Sequence, residues 1–160
     1  MGEKFTENKD AKRGNYAWER VNLKKALACS FFFEAIVIEY SILEDRTQSV
    51  LQYTGSFRKR KDRIHDKLSE IEKLSKLEGC PASGLFPEEL IQRTMAWTKS
   101  RNDVIHHLMT TEKSPEEIKE TALEGNELVK EFNSAAKKYK RRLIKKGLLS
   151  ADSSSEDVAK

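Results

Sequence analysis

Turn-formers are scarce in this chain: seven Gly and three Pro among 160 residues. That scarcity excludes a many-stranded protein built on tight turns. The two cysteines, Cys29 and Cys80, are too few for a disulfide framework. Neither belongs to a Cys-x-x-Cys pair and only three His accompany them, so no structural metal and no cofactor is expected. Free thiols suit a reducing cytoplasm. Long apolar runs are also missing. The best, 26–33 and 35–38, is interrupted by Glu34, well short of the ~20 residues a membrane span needs. The first residues stay charged through Lys25, unlike a secretory leader. Absent too are a Gly-rich phosphate loop, a Gly-x-Ser-x-Gly elbow and a His-Glu-x-x-His pair.

What the chain does have is charge and helical rhythm. Charged residues make up 35%, with Lys+Arg 30 against Asp+Glu 26. The length suits one domain with its own core. Four segments carry a helical pattern. The first, 16–53, contains no Gly or Pro and is apolar nearly all round at its centre, which predicts a central helix. The second, 57–78, repeats Ile64, Leu68, Ile71, Leu74 and Leu77 at spacings of three and four, with Gly79 as its expected cap. The third starts at Pro87 as first helical residue and holds a seam of Leu90, Thr94, Trp97, Arg101, Val104 and Leu108. The fourth opens on Ser114-Pro115-Glu116-Glu117, a capping box, and keeps its rhythm from Ile118 to Leu143 until Gly147. The connections are short. The expected architecture is therefore all-α, an up-and-down antiparallel bundle of four to five helices. Residues 1–14 read as a flexible lead, 15–147 as the domain and 148–160 as a disordered tail.

One constellation stands out: Arg101-Asn102-Asp103-Val104-Ile105-His106-His107. An arginine on an apolar seam needs a carboxylate, with Glu34 or Glu39 the plain choices, or a cleft that anions enter. Arg101 and His106 lie about 140° apart on an ideal helix, so one helix does not easily aim both at one atom. Two copies packed across a dimer axis would.

With Arg101, Asn102 and His106, the chain resembles the HEPN domains (higher eukaryotes and prokaryotes nucleotide-binding). These are all-α bundles marked by Arg, four to six residues, then His, often with a polar residue straight after the Arg. The resemblance spans about 15–146, and its specific part is 101–106. It implies metal-independent endoribonuclease chemistry at a homodimer interface, in a toxin or phage-defence effector, with RNA as substrate. A nucleotidyltransferase-type antitoxin is the cognate partner such a toxin would have. The chemistry suits the residues. Histidine titrates near neutrality and can move the 2′-hydroxyl or leaving-group proton. Arginine is a planar, permanent donor for the extra charge of the phosphorane. Asn102 would hold a phosphate oxygen or orient His106. Asp103 and His107 are candidate supports, with packing the preferred role for His107. Glu39 is a candidate partner for Arg101, or for Arg46.

Five cations lie within 58–63, with Arg58, Lys59, Arg60 and Lys61 in a row at a helix start, where positive charge is unfavourable unless it binds something. They are the candidate RNA contacts. A second basic cluster, 137–146, suits a helix C-terminus through the dipole alone. The alternatives to a nuclease are a non-catalytic bundle that binds nucleic acid or a partner protein, and a coiled-coil adaptor built on the fourth segment.

Overall fold

The computed structural model describes residues 9–54, 63–107, 110 and 113–149, with backbone only for 9–13. Five helices carry them: α1 (Lys9–Ala28), α2 (Phe32–Thr54), α3 (Ile64–Lys76), α4 (Glu88–His106) and α5 (Pro115–Lys145). No strand occurs among the described residues. The fold is an all-α helical bundle, and no described helix is long and apolar enough to cross a membrane.

The stretch expected as one helix, 16–53, is two. Ser30 adopts a left-handed backbone with φ of 60°. Around it the Phe31 amide donates to the Ala26 carbonyl (2.8 Å) and the Ser30 amide to Leu27 (3.2 Å). These are the two bonds of a Schellman cap, and they end α1 without a glycine or proline to announce it. The same device ends α5, this time on Gly147 with φ of 70°. There Leu148 donates to Leu143 (2.9 Å) and Gly147 to Ile144 (2.9 Å).

Other boundaries move by a few residues. α1 begins at Lys9, ahead of the expected 15. α3 ends at Lys76 with Leu77 extended behind it, so Gly79 shapes the following turn rather than capping the helix. Pro87 is the N-cap of α4, not its first turn, because its ψ of 147° is not helical. The capping box of α5 is complete: Ser114 Oγ accepts from the Glu117 amide (3.2 Å), and the Ser114 amide donates to Glu117 Oε2 (2.8 Å). Leu149, placed in the expected tail, packs against the core.

One apolar cluster joins all five helices, from Leu23 and Ala26 on α1 to Leu143 on α5. α2 packs most extensively against α5 and next against α1. α1 and α2 form an antiparallel hairpin, tied by Ser41 to Glu19 (3.2 Å) and by Arg46 over the Tyr16 ring (3.9 Å). α4 and α5 form another, tied by Trp97 Nε1 to the Thr121 carbonyl (2.8 Å) and by Arg93 to Glu131 (3.0 Å). α2 and α5 are neighbours in space but not in sequence, and they run in the same sense. Glu39 faces Gly125, while seven residues on Arg46 reaches the level of Asn133 through Tyr16.

The connection 77–87 is anchored rather than loose. Phe86 is buried, its ring 5.3 Å from Phe132 and 6.4 Å from Tyr139. Its amide donates to Ser75 Oγ (3.0 Å). Arg142 of α5 donates to the carbonyls of Pro81 (3.2 Å) and Ser83 (2.7 Å). One cation of the second basic cluster thus has a structural duty.

Candidate functional site

The seam on α4 is buried as its spacing requires: Leu90, Thr94, Trp97 and Val104 all lie inside. Arg101, between Trp97 and Val104, is half-buried. Its guanidinium carbon stands 4.1 Å from the centre of the Tyr40 ring, so an aromatic face, not a carboxylate, accepts the cation. Nη1 donates to Asn102 Oδ1 at 2.9 Å. Nε is buried and has no partner. The guanidinium is therefore held between a ring and an amide, with no carboxylate partner among the described residues.

Neither carboxylate expected beside Arg101 pairs with it. Glu34 is exposed at the start of α2. Glu39 is fully buried, and both of its oxygens lack any hydrogen-bond partner. It bonds neither Arg101 nor Arg46, whose guanidinium lies over Tyr16 instead. Burial alone pushes the Glu39 carboxyl from 4.5 up to about 9, so it is protonated at neutral pH. Its enclosure explains Gly125. A Cβ there would collide with Glu39 Oε2 and come within 2.7 Å of the Trp97 ring. Glu39 thus acts as a buried neutral group under the site, not as a counter-ion in it.

Tyr40, next along α2, was not among the candidate residues. Its hydroxyl pKa is raised, first by burial and then by Glu44, with Arg101 opposing the rise. The phenol stays neutral. The signal for Tyr40 lay in its place beside Glu39 on the most apolar helix, but nothing in the sequence pairs it with α4.

The two histidines divide their roles. His107 closes α4: its amide donates to the Asp103 carbonyl (3.0 Å), and its ring Nδ1 meets the same oxygen at 2.9 Å. That contact is a hydrogen bond when Nδ1 carries the proton. Asp103 serves it through its backbone. His106, the last residue of α4, is exposed. Asn102, weighed as a phosphate or His106 contact, turns its carbonyl to Arg101. The structure brings together Arg101, Asn102 and Tyr40, and leaves His106 facing solvent about 140° around the helix and 7.5 Å along it.

No family model, curated protein or solved structure matches this chain. The site must therefore be read from its own residues. The run Arg58, Lys59, Arg60 and Lys61 lies outside the described residues. A second concavity opens elsewhere, between α1 and α5, with a volume of about 380 Å³.

Proposed function

We propose that the chain is a metal-independent endoribonuclease of the HEPN kind, working as a homodimer on RNA. The observation that carries this reading is the state of Arg101: held over the Tyr40 ring, braced by Asn102 and paired with no carboxylate among the described residues. A guanidinium so held is pre-organised for an anion, and an exposed imidazole, His106, closes the same helix. The angle between them supports a composite arrangement, in which Arg101 of one subunit serves His106 of the other. Exposed apolar side chains on α1 and in the break before α2, Trp18 at 68% and Phe31 at 58%, supply surface for pairing with a second copy.

In the reaction, the imidazole removes the proton of the ribose 2′-hydroxyl. The oxygen attacks the adjacent phosphorus, and Arg101 stabilises the charge that gathers on the phosphorane. The bond to the 5′-oxygen breaks and that oxygen takes the proton that the imidazole carries, which returns the imidazole to its neutral form. The products are a 2′,3′-cyclic phosphate and a 5′-hydroxyl. His106 is the proton-transfer group, worth about 10²–10⁴-fold in rate.

Incubation of total RNA with the protein in EDTA, with end-group analysis of the fragments, tests the reading. Fragments ending in a cyclic phosphate are expected, and 2′-O-methyl RNA should resist. Absence of cleavage, or its loss in EDTA, overturns the proposal and leaves a binding bundle in its place.

A further inference from the structure

The concavity between α1 and α5 is basic on both walls. Arg20 and Lys24 line it from α1, and Lys130 and Lys137 from α5. Its floor is apolar, made by the buried side chains of Leu23 and Val129. No Asp or Glu lines it among the described residues. Of the four cations, Lys130 reaches Glu127 (2.7 Å) outside the cleft and Lys137 also has a partner of its own. At one end Tyr16 donates its hydroxyl to Asn133 Oδ1 (2.7 Å), while one face of its ring is covered by Arg46. That bond orients the Asn133 amide, whose NH₂ has two hydrogens to donate.

The spacing of the cations selects the ligand. Arg20 and Lys24 are four residues apart, about 6 Å along the helix, and Lys130 and Lys137 seven apart, about 10.5 Å. One compact phosphate cannot touch all four. A linear polyanion can, with successive phosphates meeting successive cations. The apolar floor and the carboxamides of Asn126 and Asn133 complement the faces and edges of bases. An acidic peptide offers carboxylates but no such faces.

We infer that the α1–α5 cleft binds the backbone of a single RNA strand, at a place separate from Arg101 and His106. It names where the substrate is held, and it rests on the ribonuclease reading only in naming RNA. Two of its cations come from α1, which nothing in the sequence joins with the basic end of α5. Lys137 belongs to a cluster that the helix dipole alone would have explained.

The test uses the full chain carrying His106→Ala, so that a fluorescent twelve-nucleotide RNA survives the titration. Affinity is read by anisotropy across a range of salt. Adding Arg20→Ala and Lys24→Ala together should weaken binding about tenfold and reduce the slope of log affinity against log salt by about 1.4, near 0.7 per lost phosphate contact. Circular dichroism of the variant should match the parent. A 4-thiouridine strand should cross-link to peptides covering 16–24 and 126–137. Unchanged affinity and slope in the double variant overturn the assignment. So does equal competition by polyglutamate at matched charge, which would make the cleft a peptide site. Cleavage by the chain without the His106 substitution is scored separately, so the cleft and the nuclease reading fail independently.

Discussion

Glu39 is a carboxyl group enclosed by hydrocarbon, and its protonation has a sign that can be worked out. Its pKa is about 9 in the fold, against 4.5 as a free side chain. Between those values the folded state holds the proton more tightly than the unfolded state. The contribution of Glu39 to stability is therefore greatest below about pH 4.5 and falls as pH rises towards 9. At 1.36 kcal/mol per unit, roughly 3 kcal/mol of this contribution is gone by pH 7. Glu39→Gln should flatten that dependence, and urea midpoints at pH 5 and pH 8 read it; parallel slopes for the two proteins would contradict the buried-acid account. For the chemistry, His106→Ala should lower RNA cleavage by about 10²–10⁴-fold with helical circular dichroism unchanged. Arg101→Ala should abolish cleavage, and Arg101→Lys should rescue poorly, because an ammonium has no planar fork. Normal cleavage by His106→Ala would remove this histidine from the reaction. The sequence made Arg101 conspicuous because a charge on an apolar seam is itself a signal. Its support on Tyr40 was illegible, because a residue on α2 meets one on α4 only through the packing of helices distant in sequence.

At the scale of helices, the starts were easier to read than the stops. Ser114 announces α5 through chemistry that is local in sequence, and both bonds of its capping box form. Ser114→Ala should cost about 1 kcal/mol in urea unfolding, and a loss below a few tenths would mean the cap adds little. The end of α1 was hidden. A left-handed residue there is serine, and the segments on either side are helix formers, so nothing in the composition marks a stop. The seam residues of α4 and α5 were legible because burial follows period. Gly125 fell in that rhythm as an ordinary core position, yet a side chain there would meet both Glu39 and Trp97. Gly125→Ala gains about 1 kcal/mol of helix propensity. The methyl would meet two fully buried side chains, and overpacking costs about 1–3 kcal/mol. A net destabilisation in urea unfolding is expected, and a stabilised variant would show that the α2–α5 contact can relax.

At the scale of the molecule, the composite site requires two copies. Light scattering at micromolar concentration should report a dimer, and mixing Arg101→Ala with His106→Ala should restore partial cleavage if each subunit lends one group. A monomer that still cleaves would place both groups in one chain and remove the shared arrangement. The Ser30 break bears on assembly in another way. α1 and α2 together span 9–54, and joined as one rod they would extend about 69 Å. A left-handed serine stands against that rod, at a cost of about 1–2 kcal/mol that glycine would avoid. Ser30→Gly should lock the hairpin. Ser30→Ala should favour the continuous helix, swinging α1 away from α2 and α5 and leaving its place empty. The vacated groove is then filled by α1 of another molecule, because the contacts are the same whichever chain supplies them. Such a variant should elute as an exchanged oligomer that persists after dilution, turning a single backbone angle into the determinant of whether the arm folds home or is traded.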